Sequence, residues 1–158
     1  MKAVVLAAGE WLNVGRLWEV LEATKRLLDG LETRIDGATL EGSVVVEDGA
    51  DVGPNAVVSN AVVLSDATIE AGAVIKDCIV GENATVGPNS TVVGGPARAI
   101  VEEEVHQGVR LGGVIGDNAT LGGGVVIDSG AVVGDDATVE SGVTLADRVP
   151  PNAEVRRG

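Results

Sequence analysis

From Ala38 to Val92 an aliphatic residue repeatedly follows a small one by two places. Val52 follows Ala50, Val58 follows Ala56, Val63 follows Ala61 and Ile69 follows Ala67. Ile75 follows Ala73, Val80 follows Cys78, Val86 follows Ala84 and Val92 follows Ser90. Counted from Val46 the steps are 6, 6, 5, 6, 6, 5, 6, 6, so the pattern returns every 17 residues. A repeat of this length predicts a parallel β-helix with triangular coils, each made of three short strands and three corners. The aliphatic residue fills a narrow prism. The residue two before it lies at a crowded corner and must be small. Corners need positive φ, which Gly and Asn adopt at least cost. Gly53-Pro54-Asn55 and Gly87-Pro88-Asn89 are one such corner repeated 34 residues, or two coils, apart. One coil cannot bury its own apolar face, so coils must stack, at about 4.8 Å, through parallel ladders.

Gly94-Gly95-Pro96 breaks the pattern. Residues 97–110 are irregular and carry Glu102, Glu103, Glu104, His106 and Arg110, so 94–112 is expected to leave the prism as a loop or strand excursion. The repeat resumes with Ile115, Leu121, Ile127, Val133, Val139 and Leu145, a strict six. Pro150-Pro151 is expected to end the ladder, because proline cannot donate to it, leaving a short basic tail from Val155. Upstream, Lys2–Ala8 reads as a buried strand ending at Gly9. Trp11–Asp29 reads as a helix, with Leu17, Val20, Leu21, Thr24, Leu27 and Leu28 on one stripe and Gly30 as its C′ residue. The expected organisation is therefore a strand remnant over 1–10, a linker helix over 11–30 and a β-helix domain over 31–158.

Composition adds limits. With 158 residues, one domain is expected. No run of eighteen apolar residues occurs, so no membrane partner is expected, and the apolar start is too short for a signal peptide. A cytoplasmic location follows as an expectation. The net charge of −13 argues against nucleic acid, whose phosphates need a basic face. An acidic chain with only three lysines, Lys2, Lys25 and Lys76, fits a high-salt cytoplasm, where repulsion is screened. It also fits an ordinary, highly soluble acidic protein. The absence of Phe and Tyr suits a thin, β-branched core. Cys78 is the one cysteine, so no intrachain disulfide is expected. Its corner position suits a buried inert thiol better than a nucleophile. Asn83-Ala84-Thr85, Asn89-Ser90-Thr91 and Asn118-Ala119-Thr120 match the glycosylation sequon but fall where corners are expected. One histidine per chain cannot supply the three imidazoles of a zinc site, so no metal is expected.

Three stretches carry a resemblance. Lys2-Ala3-Val4-Val5-Leu6-Ala7-Ala8-Gly9 resembles the opening of sugar-1-phosphate nucleotidylyltransferases, of the glucose-1-phosphate thymidylyl- or uridylyltransferase type. Trp11-Leu12-Asn13-Val14-Gly15-Arg16, with Trp18-Glu19-Val20-Leu21-Glu22-Ala23, resembles the segment that leads from that catalytic domain into a β-helix. Leu111-Gly112-Gly113-Val114-Ile115-Gly116-Asp117 resembles a signature of the β-helix domain in bifunctional members that also acetylate amino-sugar phosphates. The resemblance implies left-handed coiling, against the usual handedness of parallel crossovers. The nucleotidylyltransferase domain is missing between the first two stretches, so neither the rest of the phosphate loop nor its cation is at hand. The whole fits a truncated, haloarchaeal member of the family.

The resemblance also implies a homotrimer, with acetyl-CoA in a groove between prisms and a sugar phosphate as acceptor. In the bifunctional family a basic loop ahead of the signature carries a His, an Asn and an Arg, the His serving as general base. Here the matching place reads Val92-Val93-Gly94-Gly95-Pro96-Ala97-Arg98, without His or Asn. His106 is nearer the signature and stands as candidate base or as a surface histidine beside three glutamates. Arg98, Arg110 and Lys76 stand as candidate ligands for acetyl-CoA phosphates or as solvated cations. Two functions follow as expectations. One is a trimerisation module that has lost nucleotidyl transfer. The other is an acetyl-CoA-dependent N-acetyltransferase acting on an amino-sugar phosphate.

Overall fold

The computed structural model describes residues 4–5, 11–12, 21, 35–101 and 104–158, over 4–5, 11–12, 96–101 and 104–110 by their backbone alone. The chain from Ile35 onward is a left-handed parallel β-helix of about six coils. Each coil has three faces, and each face is a ladder of parallel strands.

Face A runs from Thr39–Val46 through Val57–Val63, Val74–Lys76, Thr91–Val92 and Val126–Ile127 to Thr144–Leu145. The two long strands bend into face B, which continues through Cys78–Val80, Gly113–Ile115, Ala131–Val133 and Arg148–Val149. Face C stacks Asp51–Val52, Thr68–Ile69, Thr85–Val86, Thr120–Leu121, Thr138–Val139 and Glu154–Val155. The inward residues are those of the sequence pattern, and Val58, Ile75, Val80, Val86 and Ile127 are fully buried. So are the small residues before them, Ala56, Ala73, Cys78 and Ala84. Each coil thus contributes one thin apolar layer to a continuous column.

Corners are set by residues that tolerate positive φ. Asn55, Asn60, Asp66, Asp77, Asn83, Asn89, Asn118, Asp136 and Asn152 all lie between φ 48° and 61°. Three of these, Asn83, Asn89 and Asn118, are the sequon asparagines, and their corner role accounts for them. Asx side chains suit the position because they tolerate the left-handed region and bond locally to backbone. Asn60 does so across coils, its Oδ1 accepting from the Ser43 N–H at 3.2 Å. At Ser90, buried at a corner, the hydroxyl donates to the Gly122 carbonyl and accepts from the Val125 N–H, which explains a polar residue in an alanine position.

Three features differ from the sequence reading. The repeat does not stop and restart: Val92 stacks directly on Ile127, and Ile115 on Val80. The excursion is an insertion inside the fourth coil, between its face A and its face B. Second, Pro150-Pro151 do not end the ladder, because Glu154–Val155 still pairs with Thr138–Val139. In earlier coils the N–H at the place of Pro150 donates to the next coil, as Gly116 does to Val133 and Gly134 to Val149. The last coil has no successor among the described residues, so proline forfeits nothing there. Third, Trp11–Leu12 pairs antiparallel with Val4–Val5, so these two residues are extended rather than the start of a helix. Leu21 is helical, and the remainder of the expected linker helix lies outside the described residues.

Candidate functional site

The excursion is an antiparallel hairpin, Pro96–Val101 paired with Glu104–Arg110, here called the arm. Its two feet are held by the corners of the coils above and below. On the third-coil side stands Asp77, 5% exposed. Its carboxylate accepts from the Gly95 N–H at 2.9 Å, and its carbonyl accepts from the Gly112 N–H at 2.7 Å. One residue thus grips the outgoing and the returning chain. The feet also bond to each other, Leu111 N–H donating to the Gly95 carbonyl at 3.2 Å. On the fifth-coil side the Ser129 hydroxyl donates to the Val93 carbonyl at 3.1 Å, and the Gly130 N–H lies 2.9 Å from both the Leu111 and the Gly112 carbonyl. The feet must be glycine because of this squeeze. A Cβ at Gly94 would stand 2.5 Å from the Lys76 Cβ, and one at Gly112 would run into the Lys76 carbonyl oxygen.

All four residues singled out from sequence fall on this arm or at its root. Lys76 ends the third-coil strand of face A, is exposed, and directly precedes Asp77. Arg110 is the register partner of Pro96 at the base of the arm. His106 is the register partner of Ala99, and Arg98 sits in the register shift between Ala97 and Ala99, which places the backbones of Arg98 and His106 together midway along the arm. Beside the root, Val93 is the exposed large hydrophobic among the described residues, at 41%.

The electrostatic setting is local. From Asp36 to Asp147 the chain holds three cations, Lys76, Arg98 and Arg110, among eighteen Asp and Glu. Those three and the sole histidine lie on the arm or at its root. The remaining cations of the β-helix, Arg148, Arg156 and Arg157, are in the last coil. There Arg156 pairs with Glu154 at 2.9 Å, and this holds the Glu154 carboxyl below its ordinary range.

Cys78 is fully buried two residues before Val80, and burial, helped by neighbouring Asp77, pushes its thiol far above the ordinary range. It is a packing residue, not a nucleophile. Among the described residues no group of three or more His, Cys, Asp or Glu could hold a metal, and no helix is long and apolar enough to cross a membrane.

Sequence reasoning missed Asp77 and Ser129. Asp77 lies 17 residues after Asn60, so its place at a corner was readable. Its grip on the arm was not, because its partners Gly95 and Gly112 lie on either side of the break in the repeat.

A family model described as GMPPB C-terminal domain matches residues 32–111, and one described as bacterial transferase hexapeptide (six repeats) matches 112–147. The junction between them falls at the returning foot of the arm. A curated relative, the Bifunctional protein GlmU of Methanocaldococcus jannaschii, is 45% identical over 47 residues, 27% of this chain and 12% of that protein. Among solved structures, WeeI from Acinetobacter baumannii AYE superposes with a TM-score of 0.61 at 20% identity, over 87% of this chain and 62% of its own. A GDP-perosamine N-acetyl transferase from Caulobacter crescentus superposes more loosely, at TM-score 0.46 and 23% identity, over 76% of this chain and 47% of its own. The chain thus spans less than two thirds of the length of each of these proteins.

Proposed function

Because this chain belongs to the GMPPB C-terminal domain family, with residues 32–111 matching it, we propose that it is the β-helix module of a sugar-phosphate transferase and that the arm corner binds its anionic substrates. The observation that carries this reading is the gathering of Lys76, Arg98, Arg110 and His106 on the arm and at its root, in a stretch from Asp36 to Asp147 that is otherwise without cations. Cations set in an acidic surface favour phosphate there over the rest of the stack between Asp36 and Asp147, which holds no other cation. The sharper form of the proposal is acetyl transfer from acetyl-CoA to an amino-sugar phosphate. When bound, acetyl-CoA supplies an activated acyl group. Lys76, Arg98 and Arg110 are the residues to hold phosphates. His106 is the candidate to take a proton from the acceptor amine, since an imidazole titrates near neutral pH.

Calorimetry with acetyl-CoA in molar salt tests the binding step, and product formation by wild type and His106→Ala tests the chemistry. Micromolar binding, with transfer abolished in His106→Ala and coil stability unchanged, is the expected result. No binding, or full transfer by His106→Ala, refutes the acetyl-transfer form.

A second reading, an assembly module without nucleotidyl transfer, has its own observation. The outer column of face B is apolar from the first coil to the fifth, through Val45, Val62, Ile79, Val114 and Val132. The matching column of face C is polar, with Thr68, Thr85, Thr120 and Thr138. Within the single chain Val62, Ile79 and Val114 are already buried and Val45 and Val132 half-buried, so packing prism against prism in a homotrimer would complete the cover of Val45 and Val132 and leave face C wet. Light scattering in molar salt checks this, and a stable monomer refutes it.

A further inference from the structure

We infer that Asp77 is the positioning residue of the arm: its carboxylate fixes the angle at which residues 96–110 leave the prism, and so where His106 and Arg98 stand. The site it serves is the one proposed above, but the grip itself is read from the fold alone. Asp77 differs from the corner residues Asn60, Asp66 and Asn89 in the direction it serves. The Asn60 side chain reaches back to Ser43 of the preceding coil, where a glycine, Gly42, makes room. The Asn89 and Asp66 carboxyl or amide oxygens likewise lie against Gly72 and Gly49 of the preceding coil. For Asp77 the residue in the preceding coil is Asn60, which has a side chain. Its Oδ2 instead lies against Gly94 and bonds Gly95 in the following coil. Following the chain, that coil is where the arm departs.

The two bonds from Asp77 to the feet act as a pair. Gly95 N–H, on the outgoing foot, is tied through the side chain. Gly112 N–H, on the returning foot, is tied through the backbone. Two feet bonded to one rigid corner residue cannot shear past each other. Buried at the corner, the carboxylate–amide bond is of the charge-assisted kind that contributes most. Its backbone, at φ 50°, lies in the left-handed region, which Asp tolerates better than most residues. The fifth-coil contacts of Ser129 and Gly130 reach only carbonyls of the feet. They support the arm from below but do not tie the Gly95 amide.

The test separates side chain from backbone. Asp77→Gly keeps the positive φ and removes the acceptor. Asp77→Asn keeps both φ and an acceptor oxygen. Asn60→Gly makes the same backbone change one coil earlier, away from the arm, and reports any general loosening of the stack. The readout is native-state trypsin cleavage after Arg98, with deuterium exchange of the Gly95 amide. Cleavage of an opened segment follows its open population. Losing a hydrogen bond to a buried charged group therefore speeds it about tenfold or more. The expected result is that acceleration in Asp77→Gly, a clearly smaller one in Asp77→Asn, which keeps the bond without its charge, and near wild-type rates in Asn60→Gly. Asp77→Gly cleaved as slowly as wild type, Asp77→Asn as fast as Asp77→Gly, or Asn60→Gly as fast as Asp77→Gly each overturns the inference. None of these readouts needs acetyl transfer, so an inactive wild type defeats the proposed function and leaves this result standing. If transfer is present, Asp77→Gly lowers kcat and Asp77→Asn restores it.

Discussion

Truncating Ile75 to alanine tests whether the column of inward residues is a rigid stack. Ile75 is fully buried on face A of the third coil, between Val58 and Val92 in the ladder. Three carbons are removed. At about 0.8 kcal/mol per buried methylene, their transfer alone accounts for about 2.4 kcal/mol. The cavity adds to this in proportion to how little the surroundings relax. Here they cannot close along the axis, because Val57 N–H donates to Ala73 and Val74 N–H to Ser90, both at 2.9 Å, fixing the coil spacing. Nor can they readily close across it, because the small residues at the corners, Ala56, Ala73, Cys78 and Ala84, are already fully buried. The cost therefore falls high in the usual range for such truncations, about 4 kcal/mol. For a chain of this size that lowers Tm by about 12 °C. The comparison is Leu40→Ala. Leu40 is half-buried in the first coil, with no described coil above it, and should cost roughly half as much. Urea unfolding by circular dichroism, with m-values compared, measures both. A cost below about 1.5 kcal/mol for Ile75→Ala, or one no greater than that of Leu40→Ala, refutes the rigid-stack reasoning.

Three further outcomes follow from the same structure. With −13 per chain, Tm should rise between low and molar salt as the Debye length shrinks from about 10 Å at 0.1 M to about 3 Å; a flat profile contradicts a repulsive acidic surface. The Cys78 thiol is pushed up in the folded chain, so its contribution is complete below the unfolded value of about 8.5 and fades as pH rises above it. Cys78→Ala should remove that part of the alkaline loss in a pH series of urea midpoints, and native Cys78 should resist alkylation until the chain unfolds. Gly112→Ala drives a methyl into the Lys76 carbonyl and should free the arm, seen as faster cleavage after Arg98; wild-type cleavage would show that the foot has slack.

The column was legible because its chemistry is local. An aliphatic residue with a small one two places earlier states, on its own, which side chain points inward and which backbone is crowded. Asn and Asp at positive φ mark the corners for the same reason. What was not legible needed knowledge of the neighbour in space. Pro150 looks like a terminator until one sees that the N–H it lacks would have served a further coil. The pairing of Trp11–Leu12 with Val4–Val5 depends on a partner strand too short to show any period. The arm hid a continuous stack because its insertion separates Val92 from Ile115, which belong to one coil. The side chains around His106 follow from no repeat at all, so the candidate site was readable as charges along the chain and not as a geometry.

The place of the arm has a physical reason that the register makes visible. From face B to face C every step is six residues, from Val46 to Val52 through to Val149 to Val155. From face C to face A every step is also six, from Val52 to Val58 through to Val139 to Leu145. Only the corner between faces A and B varies. Its steps are 6 from Leu40 to Val46, 5 from Val58 and from Ile75, 23 from Val92 to Ile115, 6 from Ile127 and 4 from Leu145 to Val149. All three corners are stacked by a carbonyl that receives an N–H from the next coil, as Asp48 does from Asp66, Pro54 from Gly72 and Ser59 from Asp77, but only two of them keep one length throughout. The third already accommodates one residue more or fewer without disturbing the faces beside it. An insertion there costs loop-closure entropy, which grows slowly with length, and disturbs no ladder. The step that broke the sequence pattern is therefore the one position in the coil where the stack can carry an arm, and the candidate chemistry sits on it.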